Sequence, residues 1–217
     1  MQTEIQDGHG TLAVGFIPTI APFVLPSVIR RFSQKFPNAR LEVHEDLTDE
    51  LLQKIIAVEL DVGITNLPIK NKLIRTEELL TEPLIVAASQ KYDIVNWAAI
   101  RVKELDDFPF IALNEVHCLG EQVQSFCYQQ DVDLYIVCHT AQLSTVQNCI
   151  ALGLGVSLVP QALAINAPLD QITYRTISDS VPQRKIAAAV HTRRRSSFLG
   201  RAFIEIVRLE YPHGHFE

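Results

Sequence analysis

The sequence contains the same order of apolar segments twice: strand, helix, strand, helix, strand. In the first copy, strand-like segments cover residues 11–17, 40–45 and 60–65. Between them, apolar residues recur at helical spacing from Leu25 to Phe36 and from Leu51 to Ile56. Strands and helices that alternate in this way predict parallel strands joined by right-handed helical crossovers.

The second copy begins after a middle segment with a different pattern. Its predicted strands are residues 109–113, 134–139 and 156–159, and its predicted helices are residues 119–129 and 143–152. The copies are separated by two further predicted strands, 73–80 and 83–88, and by a weak helix at 98–105. The chain closes with a predicted strand at 185–191 and a helix that follows Ser196-Ser197 and ends at Leu209. Without a Gly/Ser-rich linker between the copies, extended strands are expected to connect two α/β subdomains.

Composition excludes several classes of function. The 217 residues include 19 lysines and arginines against 25 aspartates and glutamates, a net charge of −6, so a broad basic surface for nucleic acid is not expected. No apolar run approaches the roughly 20 residues of a membrane helix. The first ten residues lack the pattern of a signal peptide, which favours a cytosolic location. No motif of a phosphate-binding loop, a serine hydrolase or a zinc peptidase occurs, and we expect no enzyme activity, cofactor or metal site.

Four cysteines, Cys118, Cys127, Cys138 and Cys149, lie close together in the middle of the chain. None forms a Cys-x-x-Cys pair, so neither a zinc knuckle nor a thioredoxin-type dithiol is indicated. Cys138 and Cys149 are predicted to be core thiols. Cys118 differs because it is placed at a helix start next to His117. There the helix dipole stabilises a thiolate, and an imidazole can exchange a proton with it.

Cys127 follows Cys118 by nine residues in the same predicted helix. Nine helical residues rise about 13.5 Å and leave the two side chains on opposite faces. A disulfide needs Cα atoms within about 7 Å, so the helix must unwind if these cysteines are to join. Such a step would convert oxidation into a conformational change. The alternative is a pair of unrelated core cysteines, and the spacing leaves both interpretations open.

Two threonines occupy strand-to-helix turns of the first copy. Thr19 follows Pro18, and Thr48 opens the second helix. Either hydroxyl could face a small polar ligand, because ligands of such folds bind at the carboxyl ends of strands. Either could equally be an ordinary helix N-cap.

Segments along nearly the whole chain follow a known pattern: residues 15–19 (GFIPT), 22–26 (PFVLP), 60–64 (LDVGI) and 151–160 (ALGLGVSLVP). Together they resemble the effector-binding domain of LysR-type transcriptional regulators. The resemblance implies an α/β fold of two Rossmann-like subdomains, similar to periplasmic binding proteins and joined by crossing strands. Regulatory subdomain I would comprise residues 1–82 plus 189–217. Regulatory subdomain II, with the cysteine pair, would comprise residues 83–188.

Residues 117–122 (HCLGEQ) and the pair Phe126-Cys127 resemble the redox segment of the peroxide-sensing members of this family. The resemblance implies that Cys118 is the peroxidatic cysteine and Cys127 the resolving one. The implied ligand-binding residues are Thr19, Thr48, His117, Cys118 and Gln122. The sequence departs from these members at Gly120, where they commonly have arginine.

The resemblance also implies partners. They are a second copy of the chain in a homodimer or homotetramer, hydrogen peroxide as the signal, and DNA through an N-terminal winged helix-turn-helix domain absent here. RNA polymerase is a further candidate, and no membrane partner is expected. Amphipathic helices at residues 26–36 and 199–209 are predicted to supply apolar edges for the dimer. Two other functions stay open: a domain of this family that binds a metabolite, with incidental cysteines, and a thiol peroxidase.

Overall fold

The computed structural model of the chain describes residues 8–97 and 100–211. The strands in these residues are β1 (Gly10–Phe16), β2 (Ala39–Glu45), β3 (Val62–Asn66), β4 (Ile74–Ser89), β5 (Pro109–Leu113), β6 (Tyr135–Thr140), β7 (Val156–Pro160), β8 (Ile172–Arg175) and β9 (Gln183–His191). The α-helices are α1 (Ala21–Lys35), α2 (Thr48–Ile56), α3 (Cys118–Gln129), α4 (Leu143–Leu152), α5 (Gln161–Asn166) and α6 (Phe198–Glu210). None of these helices is long and apolar enough to cross a membrane.

The chain divides into two compact units. Of the described residues, unit 1 contains 8–80 and 185–211, and unit 2 contains those within 81–184. Strands β4 and β9 each contribute residues to both units, so the chain passes between the units twice in extended conformation. The predicted fold class, α/β with two subdomains joined by crossing strands, is confirmed.

Unit 1 contains a four-stranded sheet in the order β2-β1-β3-β9. β1 is parallel to β2 and to β3, while β9 is antiparallel to β3. The register places Phe16 opposite Glu45 and opposite Ile64. The three parallel strands therefore end at one edge of the sheet, where α1 and α2 begin.

Unit 2 repeats this topology. β5 is parallel to β6 and to β7, and β4 is antiparallel to β7 and carries β8 on its other side. The order β6-β5-β7-β4 corresponds to the order of the four strands of unit 1. The carboxyl ends of β5 and β6 lead into α3 and α4, so this edge is equivalent to the one that carries α1 and α2 in unit 1.

Aromatic side chains fill the core of unit 1 between its sheet, α1 and α6. Phe203 contacts Phe32 and Phe16 edge to face, with ring centroids 5.8 and 6.0 Å away. All three rings are fully buried. The apolar faces of these helices, which were expected to supply edges for a dimer, are thus largely used inside the unit. Ile29 and Leu209 remain exposed.

A buried ion pair in unit 2 joins the middle of β4 to the start of β9. Arg184 Nε donates to Glu82 Oε2 at 2.6 Å, and the other carboxylate oxygen accepts the N–H of Ala162 at 2.7 Å. Arg184 and Glu82 are only 1% and 3% exposed. Removal of either charge would break an ion pair in the interior, which is strongly destabilising.

The structure corrects the predicted elements in the middle of the chain. The two strands expected on either side of Glu82-Pro83 are one strand, β4. Pro83 removes only one backbone donor, and the N–H of Leu84 bonds to the carbonyl of Pro182, so the strand continues. α5 and β8 were missed because they have only six and four residues. Of the helix predicted at 98–105, residues 98 and 99 lie outside the described residues, and Val102–Asp107 forms a 3-10 helix.

Candidate functional site

The first turn of α3 carries the cysteine predicted to react. β5 ends at Leu113, and α3 begins at Cys118 with His117 as its N-cap. His117 is buried, and Cys118 is half-buried. The His117 carbonyl accepts the N–H groups of Gly120 at 2.8 Å and Glu121 at 3.3 Å, which closes the first turn. Cys118 therefore lies at the positive end of a 12-residue helix, where a thiolate is stabilised.

Gln122 lies one helical turn after Cys118. Residues four positions apart share a helix face, so Gln122 and Cys118 lie side by side on α3. Gln122 is half-buried. The structure thus brings together three of the predicted site residues, His117, Cys118 and Gln122, within the first two turns of one helix.

Gly120 holds this helix start against the end of β5. A Cβ atom at this position would lie 2.5 Å from the carbonyl oxygens of both Leu113 and Asn114. These are backbone atoms that cannot rotate away, so any side chain would displace the helix start. Position 120 therefore requires glycine in this chain, because only glycine permits so close an approach.

Cys127 lies near the other end of α3 in a different environment. It is 1% exposed. Burial and the negative charge of Asp106 raise the pKa of its thiol to about 12. At neutral pH only about one in 10⁵ such thiols is ionised, and the thiolate is the nucleophilic form. Cys127 is consequently a poor nucleophile as long as α3 stays closed.

α3 is unbroken between the two cysteines. A rise of 1.5 Å per residue places their Cα atoms about 13.5 Å apart. None of the four cysteines is in a disulfide. Since disulfide geometry requires Cα atoms within about 7 Å, the closed helix prevents Cys118 and Cys127 from joining.

Thr19 occupies the turn between β1 and α1 and is 2% exposed. The N–H of Ile17 donates to the carbonyl of Ile64 at 3.1 Å, and the carbonyl of Ile17 accepts the N–H of Ala21. These bonds fix the turn beside the end of β3. Thr19 thus belongs to the carboxyl edge of the parallel strands of unit 1.

Thr48 is half-buried at the start of α2. The N-cap of α2 is Leu47, so Thr48 lies one residue inside the helix, which corrects the prediction that it caps this helix. β1 and β2 are parallel neighbours, and both end where α1 and α2 begin. Thr19 and Thr48 therefore share one edge of the unit 1 sheet, whereas His117, Cys118 and Gln122 belong to unit 2.

Two polar residues at the same edge of unit 1 were missed from the sequence. Thr65 and Asn66 end β3 and are 0% and 2% exposed. The Thr65 hydroxyl has no hydrogen-bond partner among the described residues. An unsatisfied buried hydroxyl costs about 1–3 kcal/mol, which a polar ligand could recover. The sequence feature that could have revealed them is a pair of polar residues at the end of an apolar strand. The carboxyl ends of such strands are where ligands were expected to bind.

Ligands for a metal ion are not grouped in the part of the chain that the structure describes. No cluster of three or more His, Cys, Asp or Glu residues occurs there with suitable geometry. The side chains predicted to form the site carry thiol, imidazole, hydroxyl and amide groups.

Comparison with known proteins identifies relatives along most of the chain. The family model for the LysR substrate binding domain matches residues 6–211. The DNA-binding transcriptional dual regulator OxyR of Escherichia coli K12 is 29% identical over 179 residues, 82% of this chain and 58% of that protein. A probable hydrogen peroxide-inducible genes activator of Streptomyces viridosporus is 30% identical over 186 residues, 84% of this chain and 60% of that protein. The chain thus spans about three fifths of the length of these curated relatives.

Solved structures show the same relationship. The reduced form of the OxyR regulatory domain from Pseudomonas aeruginosa matches with a TM-score of 0.81 at 27% identity. The match covers 92% of this chain and 98% of that domain. The two-unit architecture is therefore shared along nearly the full length of a regulatory domain.

Proposed function

The chain belongs to the LysR substrate binding domain family, and on this premise we propose that it is the hydrogen peroxide-sensing regulatory domain of a LysR-type transcriptional regulator. Cys118 would sense the peroxide, and a disulfide between Cys118 and Cys127 would be the switch. The observation that carries the proposal is the arrangement of α3, with one cysteine at its N-terminus and a second one buried in the same helix. The relatives named as peroxide-inducible activators support it.

In the first step, the Cys118 thiolate attacks one oxygen of hydrogen peroxide. An S–O bond forms, the O–O bond breaks, and the departing hydroxide takes up a proton and leaves as water. Cys118 becomes a sulfenic acid. His117 and Gln122 are proposed to bind the peroxide beside the thiol, and Thr19 and Thr48 are proposed to take part on the strength of the resemblance.

In the second step, the Cys127 thiolate attacks the sulfur of the sulfenic acid. The S–S bond forms, the S–O bond breaks, and a second hydroxide leaves as water. This step requires α3 to open, because the closed helix both separates the cysteines and keeps Cys127 protonated. Opening exposes Leu119 and Val123, which are buried in unit 2. Oxidation is thereby coupled to a rearrangement of residues 117–130.

The proposed output is a change in the assembly of the whole regulator. We propose that unit 1 corresponds to regulatory subdomain I and unit 2 to regulatory subdomain II, whose boundaries differ from those of the units by two residues at one crossing and four at the other. The chain would act as a homodimer or homotetramer in the cytosol and control DNA through a separate winged helix-turn-helix domain, with RNA polymerase as a further partner. Peroxide is consumed once per oxidised domain, so the proposal includes no catalytic turnover.

Thiol chemistry tests the proposal directly. The reduced 217-residue chain is exposed to stoichiometric peroxide, alkylated and analysed by peptide mass spectrometry, in parallel with C118S and C127S. We expect a 118–127 disulfide in the wild type, no such disulfide in C118S, and an oxidised Cys118 without it in C127S. Hydrogen exchange across residues 117–130 should increase only in the wild type. Unchanged protection with both thiols still titratable would refute the proposal.

One observation favours a second candidate, a domain of the same family that senses a metabolite. It is the unpartnered Thr65 hydroxyl at the edge of unit 1 that also holds Thr19. A polar metabolite would raise the melting temperature of the wild type and less so that of T65V, which keeps the shape of the side chain. This candidate gains support if peroxide leaves Cys118 and Cys127 reduced, and it fails if no metabolite distinguishes T65V from the wild type.

A further inference from the structure

The two cysteines that the α3 mechanism does not use lie on consecutive elements of unit 2. Cys138 is on β6, and Cys149 is on α4, which follows after a two-residue connection. Both are half-buried, so neither is the fully enclosed core thiol expected from the sequence. A half-buried thiol remains accessible to a small oxidant.

The two side chains meet. The thiols of Cys138 and Cys149 are hydrogen-bonded to each other, and burial together with this neighbour raises the pKa of Cys149. On β6, Cys138 shares its half-buried face with Ile136 and Thr140. α4 packs over β5, β6 and β7, which brings Cys149 to that face.

The elements that carry this pair are fixed by their packing. Val146 and Ile150, the neighbours of Cys149 on α4, are buried, and α4 ends at Gly153 in a left-handed cap with φ of 82°. β6 is paired with β5 at both of its ends, with one register shift at Val137. The thiols are therefore held in contact by the fold itself, whereas Cys118 and Cys127 are held apart by a helix.

From this geometry we infer that Cys138 and Cys149 form a second redox site, which a hydroperoxide oxidises to an intramolecular disulfide without unfolding of a helix. One thiolate attacks the peroxide, the O–O bond breaks, and the hydroxide or alkoxide leaves with a proton. The partner thiolate then displaces hydroxide from the sulfenic acid, which also leaves as water. Two thiols lose two hydrogens, and the peroxide accepts the two electrons. The short movement from hydrogen-bond contact to an S–S bond of about 2.05 Å needs only side-chain rotation.

The site is tested in the full chain with Cys118 and Cys127 both replaced by serine, so that its outcome is independent of the proposed α3 switch. The C118S/C127S protein is treated with excess hydrogen peroxide at about pH 9, where more of the thiol is ionised. We expect both remaining thiols to become unreactive toward alkylation and the mass of the monomer to fall by two hydrogens. Reduction with dithiothreitol should restore the two thiols and the original mass. The melting temperature should rise by several degrees, since a cross-link restricts the unfolded chain.

Matched controls carry the further replacement C138S or C149S. Neither variant should form the intramolecular disulfide or show the rise in melting temperature on oxidation, and circular dichroism checks that each keeps its fold. Should either variant not fold, peptide mapping of the oxidised wild type supplies the same information through a peptide that links residues 138 and 149. The inference is overturned if both thiols of C118S/C127S still titrate after peroxide, or if the disulfide forms only between chains.

Discussion

Replacement of Gly120 by alanine sets two opposing effects against each other. Alanine is favoured over glycine inside a helix by about 1 kcal/mol. Its Cβ atom, however, would lie 2.5 Å from two backbone carbonyl oxygens, and an ordinary contact of about 3.4 Å requires the start of α3 to move by roughly 0.9 Å. Overpacking of this kind costs about 1–3 kcal/mol. Because the obstacle is backbone, the clash should exceed the gain, and we expect G120A to lower the free energy of unfolding of unit 2 by about 1–2 kcal/mol.

Gly200 provides a matched control in the other unit. It is the third residue of α6, as Gly120 is the third residue of α3. A Cβ at Gly200 would meet the Ser197 hydroxyl at 3.3 Å and otherwise only side-chain atoms beyond 3.5 Å. A shift of a few tenths of an ångström relieves this contact, so G200A should keep the helical gain and be neutral or stabilising by up to about 1 kcal/mol.

The assay combines stability with local opening. Thermal unfolding of the reduced proteins should place G120A about 2–8 °C below the wild type, at roughly 2–4 °C per kcal/mol for a chain of this size. Native-state alkylation of Cys127 should accelerate about 5- to 30-fold in G120A, because the opened helix exposes the buried thiol. A G120A protein as stable as the wild type, with unchanged alkylation, would refute the role of Gly120 in holding the helix start.

Four smaller predictions follow from single contacts. Between pH 8.5 and 10, the free energy of unfolding should fall by about 1 kcal/mol more in the wild type than in C127A. The reason is that the folded protein keeps Cys127 protonated up to a pKa of about 12, whereas the unfolded thiol loses its proton near pH 9. If urea unfolding shows the same pH dependence of stability for both proteins, the prediction is contradicted. E82Q should lower the free energy of unfolding by about 3–5 kcal/mol because it removes the carboxylate charge that faces the buried Arg184, and a calorimetric loss below 1 kcal/mol would argue against it. S197A, which removes the cap of α6, should cost about 1 kcal/mol, measured by chemical unfolding, with S197T as the control that keeps a hydroxyl. T65V should stabilise unit 1 by about 1 kcal/mol in thermal unfolding, because it removes a buried hydroxyl that has no partner among the described residues, and a T65V protein less stable than the wild type would contradict this.

The parallel cores of both units could be predicted from apolar periodicity. β5 and α4 have the bounds that the pattern indicated. These segments are governed by local burial, for which residue spacing is a direct signal. The prediction was wrong around Glu82-Pro83, where two strands were expected and one is found. This segment is held by a contact with Arg184, which lies far along the chain and which no local pattern reveals.

The candidate site was predictable in part for the same reason. The placement of Cys118 at a helix start follows from local chemistry, as does its distance from Cys127. The contact between Cys138 and Cys149 does not. β6 has a register shift, in which Phe110 pairs with Ile136 but Ile111 pairs with Cys138, and a shift of one residue decides the face of a strand that a side chain occupies.

The energetics of α3 are compatible with the reversible switch proposed above. A disulfide between residues nine positions apart contributes about 3 kcal/mol in the chain-entropy account. Opening the helix exposes Leu119 and Val123, whose burial is worth about 1.5–3 kcal/mol each. The two side chains together are worth about 3–6 kcal/mol, of which the disulfide offsets between half and all. In the proposed switch, oxidation therefore makes the open form competitive, while reduction restores the helix. The raised pKa of Cys127 adds an order of events, since its thiolate forms in quantity only after the helix has opened. The rate of disulfide formation should therefore report how often α3 opens, and changes that loosen its first turn should accelerate the second step without altering the first.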